Sequence, residues 1–346
     1  MKVKALQFGK ALSAALFVLL LTVAGSKNAL AQTLVATLQH GDSISFFYGS
    51  DALRNAHEAA ENGDIITLSS GSFASPVNNT IDKAITLRGA GCVADSISGV
   101  QPTKINDCYF HIEDEELTLT VEGIYFSNVA FGKLYHPKFV KCNIDFIGNN
   151  SWDSWVYLDN AQFTNCKFGG FRFAKTHNTT FINCVIWYTE NMDNSDITIT
   201  AFNSIIRLRG YAEALSAYNC IFTTYDWGAV SGYSVAYNCI GIKMGYNSLF
   251  DVTTYDCVEY NELSDVFETF EGFENDNFDF TEPFVLKSDI ATSFLGNDGT
   301  EVGLYGGYLP YTSRPSYQIV KHYNVPNKSD AQGHPNVGIE LYSGDE

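Results

Sequence analysis

Six residues in the middle of the chain have the types and spacing needed to hold a sugar. Aromatic rings offer flat faces to sugar rings, and charged side chains can bind hydroxyl or carboxylate groups. We take the four charged members as candidate catalytic residues and the two aromatic members as candidate ligand contacts. The alternative is a solvated face whose ion pairs contribute little. The six residues are Trp187, Glu190, Arg207, Arg209, Tyr225 and Asp226.

A polar loop with two tryptophans is the second candidate binding site. Trp152 and Trp155 lie in residues 148–155, within the longest interval of the repeat described below. Loops on a rigid scaffold often carry binding residues, so the two indoles could form a sugar platform. They could equally fold back to cover the coil.

The common motifs of catalysis and metal binding are missing from the sequence. There is no Gly-x-Ser-x-Gly, no phosphate-loop lysine motif, no His-Glu-x-x-His and no EF-hand loop. No Cys-x-x-Cys pair occurs, and the seven histidines are scattered. We therefore predict no metal site and no cofactor.

A short repeat places the candidate residues in space. Six cysteines follow a polar residue, usually asparagine, and a serine unit, Asn203-Ser204, fills the one wide gap. Successive steps are 24, 18, 20, 16, 19 and 18 residues, which is too short for helical hairpin repeats. Each unit is rich in Phe, Tyr, Ile, Val and Thr, as strands are. The cysteines are Cys142, Cys166, Cys184, Cys220, Cys239 and Cys257.

This period predicts a coil of short strands that buries its inner face by stacking on its neighbours, about 4.8 Å apart. The cysteine should point inward, and the residue before it should occupy a bend with a left-handed backbone. Stacked cysteines would be close enough for disulfides. Ser204 occupies the same column without a thiol partner, which favours buried free thiols.

Alternation along each strand then assigns the outer face. The second residue after the cysteine should point inward and the third outward, which gives Trp187 and Arg207. The fifth should continue the outer face, and Glu190 and Asp226 should lie near the following bend. The fifth residues are Phe171, Thr189, Arg209 and Tyr225.

The chain begins with features of an exported protein. Residues 1–31 contain a lysine-rich start, an apolar stretch and the small-x-small site Ala29-Leu30-Ala31, which is typical of a secretory signal peptide. No later apolar run is long enough to cross a membrane, so we expect a soluble mature chain in the periplasm, at the cell surface or outside the cell.

The composition argues against a nucleic-acid-binding protein and for a folded one with a large core. The chain of 346 residues has 39 acidic against 21 basic residues, and removal of the four lysines of residues 1–31 leaves 17 basic residues and a net charge of −22. Such a charge repels phosphate backbones, so no nucleic-acid partner is expected. With 45% hydrophobic residues the chain can build a large core.

The segments before and after the repeat are predicted to cap the two ends of the coil. Ser50 or Asp51 can begin a helix that runs to about Glu61, and short strands are expected at residues 65–68 and 85–87. We divide the chain into a signal peptide (1–31), an N-terminal cap (32–64), a coil (65–262) and a closing segment (263–346). We expect the closing segment to cover the far end of the coil and to contain a last strand around Ile339.

Several short motifs at the start of the coil and near the end of the chain carry a resemblance to a known family. They are Asp51-Ala52-Leu53, Ala59-Ala60, Gly63-Asp64-Ile65-Ile66-Thr67-Leu68, Gly71-Ser72-Phe73 and Ile85-Thr86-Leu87-Arg88-Gly89-Ala90-Gly91, with Asp298-Gly299-Thr300 and Val302-Gly303-Leu304-Tyr305-Gly306-Gly307 near the end. In these motifs the chain resembles pectin-lyase-like right-handed parallel β-helix proteins, and more narrowly exported β-helix proteins of Bacteroidetes, over about residues 33–310.

This resemblance implies an all-β, single-stranded right-handed parallel β-helix with a short N-terminal capping helix and an irregular C-terminal cover. Its lyases hold calcium against an acidic sugar, and its hydrolases use clustered aspartates, but neither signature is present. We therefore expect a non-catalytic protein that binds polysaccharide or a cell-surface glycan, or acts as an adhesin-like element. The alternative is a divergent polysaccharide lyase or glycoside hydrolase whose active site lies around Arg207 and Arg209. The lyase alternative would add Ca²⁺ as a cofactor.

Overall fold

The strands of the protein wind into a parallel β-solenoid of about nine turns, and the fold is mostly β, so the predicted fold class is confirmed. A computed structural model gives this architecture. It describes residues 34–94, 100–148, 157–173, 175–190, 192, 197–224, 228–244, 248–274, 278–314, 319–324 and 338–342.

Two long sheets form the walls of the solenoid. Sheet A contains β1 (Val35–His40), β2 (Ser43–Tyr48), β3 (Ile65–Leu68), β6 (Thr86–Arg88), β8 (Thr120–Glu122), β10 (Lys133–Tyr135), β11 (Lys138–Val140), β13 (Tyr157–Asp159), β14 (Gln162–Thr164), β16 (Lys175–Ile182), β19 (Ile197–Phe202), β22 (Leu215–Tyr218), β25 (Val235–Tyr237) and β27 (Thr254–Tyr255). Sheet B contains β4 (Gly71–Phe73), β5 (Thr80–Ile81), β7 (Thr103–Phe110), β9 (Ile124–Phe131), β12 (Asn143–Ile147), β15 (Lys167–Arg172), β17 (Val185–Ile186), β18 (Thr189–Glu190), β20 (Ile205–Leu208), β23 (Ile221–Thr224), β26 (Ile240–Ile242) and β28 (Val258–Tyr260).

Two further strand pairs lie outside the walls. One is the parallel pair β21 (Tyr211–Ala212) and β24 (Ala229–Val230). The other is the antiparallel pair β29 (Ile319–Asn324) and β30 (Gly338–Tyr342). The expected last strand around Ile339 is therefore present as β30.

The predicted column of cysteines is confirmed. The residues two positions after each cysteine or serine pair in register from coil to coil, as Ile144, Phe168, Ile186, Ile206 and Phe222 do. Six members of the column are fully buried, and Cys257 in the last coil is partly exposed. All eight cysteines of the chain are free thiols. Small side chains therefore fill one inner corner of the solenoid.

The predicted bend before each cysteine is also confirmed, because every residue there has a positive φ. Asparagine tolerates this conformation better than other residues, since its short amide can hydrogen-bond locally. The φ values are 52° for Lys141, 54° for Asn165, 49° for Asn183, 46° for Asn203, 55° for Asn219, 50° for Asn238 and 52° for Asp256.

The interior holds a stack of aromatic rings. The rings of Phe139 and Phe163 lie 5.3 Å apart and those of Phe163 and Phe181 lie 5.1 Å apart, both nearly parallel. Parallel in-register strands place identical inward positions above one another, so one phenylalanine per coil builds a continuous stack. These rings are fully buried and anchor the central coils.

A helix and a hairpin close the N-terminal end. Helix α1 (Ala52–Ala59) begins after Asp51, as expected, and ends two residues before Glu61; Ala52, Leu53 and Ala56 enter the core. Strands β1 and β2 form an antiparallel hairpin that the sequence did not predict, and β1 also pairs antiparallel with β3. Within the described residues, no helix has both the length and the apolar character to span a membrane.

The closing segment runs along the side of the solenoid instead of across its end. It contains α2 (Leu263–Val266), α3 (Glu271–Glu274) and α4 (Ser288–Ser293). Its apolar residues, among them Phe267, Phe273 and Val302, form a second core with the outward side chains of sheet B. Those outward side chains are Val185, Ile205, Ile221, Ile240 and Ile242.

Candidate functional site

The structure brings Glu190 together with two arginines from neighbouring coils. Arg172 and Glu190 are register partners on β15 and β18, and Arg209 directly follows β20. Glu190 Oε2 lies 2.5 Å from Arg172 Nε, and Oε1 lies 3.2 Å from Arg209 Nη1. The hydroxyl of Tyr188 donates a hydrogen bond of 3.0 Å to Oε1. One carboxylate thus accepts from a tyrosine of its own coil and from arginines of the two adjacent coils.

Planar groups surround this cluster. The Arg209 guanidinium lies 5.1 Å from the centre of the Tyr188 ring, and Arg172 lies 5.6 Å from the centre of the Phe146 ring. The Arg209 side chain remains 46% exposed, whereas that of Glu190 is 20% exposed. The arrangement presents a fixed guanidinium and a phenol ring to solvent, which suits hydroxyl or carboxylate groups of a ligand.

Trp187 and Arg207 lie under the closing segment. The Trp187 ring stacks on Phe278 with centres 6.0 Å apart, and Arg207 Nη1 donates to the Phe273 carbonyl at 2.9 Å. The Arg207 guanidinium also lies 5.2 Å from the centre of the Trp187 ring. The contacts of these two candidates are with the closing segment, whereas Arg209 contacts Glu190 and Tyr188 and keeps 46% of its side chain exposed.

The expectation that the fifth residue after the cysteine points outward holds for Arg209 but is wrong for Phe171 and Thr189, which are buried. In the coil of Thr189, β17 ends at Ile186 and β18 begins at Thr189, so a break of two residues interrupts the alternation. In β15 the adjacent Gly170 and Phe171 are both buried, so the alternation fails there within an unbroken strand. Strand β20 continues unbroken to Leu208, and the alternation therefore survives in that coil.

Four of the candidates cannot be placed. Trp152, Trp155, Tyr225 and Asp226 lie outside the described residues, so their roles stay predictions. Asp226 is the residue that was predicted to supply a second carboxylate beside Glu190.

A groove on the other wall of the solenoid was not predicted. It has a volume of about 470 Å³ and lies between the outer face of β11 and β14 and residues 308–312 of the closing segment. Lys138, Lys141, Asn165 and Tyr308 are among its lining residues. The available signal was Lys141, a lysine at a bend position that most other coils fill with asparagine.

An outer ladder of aromatic rings was also missed. Phe202, Tyr218, Tyr237 and Tyr255 stack on consecutive coils with centres 5.1, 5.1 and 4.5 Å apart. Each directly precedes the bend residue, a pattern visible in the sequence. The stacked faces cover one another, so a sugar ring has no room between them.

The described residues contain no group of three or more His, Cys, Asp or Glu side chains arranged to hold a metal ion. Calcium therefore stays an expectation tied to the lyase alternative.

Fold and repeat together define the chain as a parallel β-solenoid protein. Comparison with known proteins finds no matching family model, no matching curated protein and no matching solved structure. The resemblance to pectin-lyase-like β-helices accordingly stays a hypothesis.

Proposed function

We propose that the protein is an exported, non-catalytic β-helix of the pectin-lyase-like kind that binds a glycan through the flank formed by Tyr188, Glu190 and Arg209. The observation that carries this proposal is the fixed position of the half-exposed Arg209 guanidinium. Its bond to Glu190 and its contact with the Tyr188 ring restrict its rotamers before any ligand binds. A preorganised side chain loses less entropy on binding.

Two contacts favour binding over catalysis. Arg207, a candidate catalytic residue of the lyase or hydrolase alternative, donates to a backbone carbonyl of the closing segment. Both oxygens of Glu190 already accept from arginine or tyrosine donors. Neither group is free to exchange a proton with a substrate, which a general acid or base must do.

A glycan array with the purified full chain tests the proposal, followed by titration calorimetry with the best ligand. Arg209→Ala should weaken binding roughly tenfold or more, because a hydrogen bond to a charged group contributes about 1.5–3 kcal/mol. Arg54→Ala is the matched control, since Arg54 is similarly exposed on α1, away from the flank.

The proposal fails if no glycan is retained, or if Arg209→Ala binds as tightly as the unsubstituted chain. The same panel is assayed for unsaturated products and new reducing ends. Turnover that Arg209→Ala abolishes would replace binding with the lyase or hydrolase alternative.

A further inference from the structure

The groove beside β11 and β14 contains a cation, Lys141, that no described residue pairs with. Lys141 is only 6% exposed, and none of the described residues accepts a hydrogen bond from its ammonium or forms an ion pair with it. Lys138, on the same wall of the groove, is exposed and likewise has no acidic partner among the described residues. The nearby carboxylate of Glu122 lies 4.0 Å from Arg88 instead. In a chain of net charge −18, two unpaired lysines at one groove are a local reversal of sign.

Most of the Lys141 side chain is buried, but its ammonium is not one of the fully buried polar atoms, so the stem packs against the wall while the charge reaches the groove. A lysine is not a requirement of the bend, because asparagine fills this position in most other coils at a similar φ. The repeat thus offers an uncharged residue that the coil of Lys141 does not use. A bound anion would pair with this charge.

A second unpaired group lines the same groove. Asn165 is 5% exposed, and its Nδ2 donates to the Pro310 carbonyl at 3.3 Å. That bond fixes the amide against the closing segment, and its Oδ1 has no hydrogen-bond partner among the described residues. A free carbonyl oxygen accepts a hydrogen bond, so it would suit a hydroxyl of the ligand and not the anionic group itself.

The other lining residues set the size and shape of the ligand. A volume of about 470 Å³ is typical of a small-molecule site. Tyr308 is 96% exposed and Leu309 is 51% exposed, so an aromatic ring and an apolar side chain stand at the rim. A flat ring beside polar groups is the usual surface for a sugar face.

We propose that this groove is a second binding site, separate from the flank, and that it takes a saccharide bearing an anionic group. Lys141 and Lys138 bind the anion, Asn165 accepts from a hydroxyl, and the Tyr308 ring packs on the sugar. The anion can be the carboxylate of a uronate or a sulfate ester, which share the same charge and the same hydrogen-bond acceptors.

Titration calorimetry of the full chain tests this site with three probes: a galacturonate tetramer, a sulfated neutral tetrasaccharide and its unsulfated parent. The acidic probes should bind, and their affinity should fall as salt rises because ion pairs at a groove are screened. Binding of one acidic probe alone identifies carboxylate or sulfate as the source of charge.

Lys141→Asn is the decisive variant, because it installs the residue that most other coils use at the bend and so preserves the fold. It should weaken acidic-probe binding by about tenfold or more, and Lys138→Gln should weaken it less. Lys133→Gln, which removes the same charge from the exposed end of the wall, should leave the affinity unchanged.

Three results would overturn the proposal: no binding of either acidic probe, equal binding of the unsulfated parent, or unchanged affinity in Lys141→Asn. Arg209→Ala separates this site from the flank. It should leave acidic-probe binding in the groove intact, even where it abolishes glycan binding at the flank.

Discussion

At the scale of single residues, asparagine at the bend has two separate tasks. It adopts a left-handed backbone, and in several coils its amide also holds the closing segment. Asn183 has a φ of 49°, and its Nδ2 donates to the carbonyls of Leu304 and Gly306, both at 2.8 Å. Asn178 has the same φ of 49° but is exposed and makes neither contact.

This pair of residues separates the two tasks. Asn183→Ala should lower the free energy of unfolding by about 2–4 kcal/mol, because it loses two hydrogen bonds and gains left-handed strain. Asn178→Ala should cost only the strain, about 1–2 kcal/mol. Urea denaturation of both variants measures the difference. Equal losses would mean that the amide contacts to the closing segment contribute nothing.

A buried lysine joins the closing segment to sheet B. Lys167 Nζ donates to the carbonyls of Glu282 at 2.7 Å and Phe280 at 3.0 Å, and it lies 4.9 Å from the centre of the Tyr311 ring. Burial lowers the pKa of Lys167 from 10.5 to about 8. Carbonyls and an aromatic face therefore compensate the charge only in part.

The lowered pKa predicts a pH dependence with a definite sign. Between pH 8 and about 10.5 the unfolded chain keeps its proton on Lys167 while the folded chain releases it, so this group adds stability as pH rises. Lys167→Met removes that contribution. The stability of the unsubstituted chain minus that of Lys167→Met should therefore increase from pH 8 to 10, as measured by urea denaturation.

Taking the difference between two chains cancels the titration of thiols and tyrosines, which both chains share. Lys133→Met, at an exposed lysine, should give a flat difference over the same range. Parallel curves for Lys167→Met and the unsubstituted chain would show that Lys167 is not buried as described.

At the scale of strands and turns, the sequence predicted what repeats from coil to coil. The bend residue and the inward cysteine recur at each step, so their backbone conformation and burial followed from the pattern alone. The faces expected for Phe171 and Thr189 were wrong because the alternation is not kept in their coils: two residues separate β17 from β18, and within β15 the adjacent Gly170 and Phe171 are both buried. Side-chain parity along a strand is reliable only while the pleat is regular.

The path of the closing segment had a signal that the sequence reasoning did not use. The first residue after the cysteine or serine points outward, and it is aliphatic in five coils, as Val185 and Ile205 show. A row of outward aliphatic side chains needs a cover. The groove could not be predicted in the same way, because Asn165 and Tyr308 meet only after that segment has folded back.

The inner and outer ring stacks should differ in stability. Phe163→Ala leaves a cavity in a fully buried stack and should cost about 3–5 kcal/mol. Tyr237→Ala removes a partly exposed ring from the outer ladder and should cost about 1–2 kcal/mol. Thermal and urea unfolding measure both losses. A larger loss for Tyr237→Ala would mean that the outer ladder, and not the core, holds the coils together.

At the scale of the whole molecule, the closing segment links coils that are not neighbours. Asn297 bonds to Asn219, Leu304 and Gly306 to Asn183, and Pro310 to Asn165. The segment thus returns from the last coils towards the middle of the solenoid. A solenoid alone has only contacts between adjacent repeats. Because the closing segment contacts several coils at once, it makes their unfolding more cooperative.

Two truncations test this role of the closing segment. A chain that ends after Glu262 would expose the outward aliphatic row of sheet B, including Val185, Ile205, Ile221 and Ile240. It should bind the dye ANS, because an apolar face becomes exposed. It should also unfold over a broader range of urea, because the contacts of the closing segment with several coils are lost. A chain that ends after Arg314 retains every contact of the closing segment named above and should unfold as the full chain does.

If the shorter chain unfolded as sharply as the longer one, without dye binding, cooperativity would have to come from the stacked coils alone. The groove at Lys141 would then be expected to lose only its rim, because β11 and β14 would persist without the residues that face them.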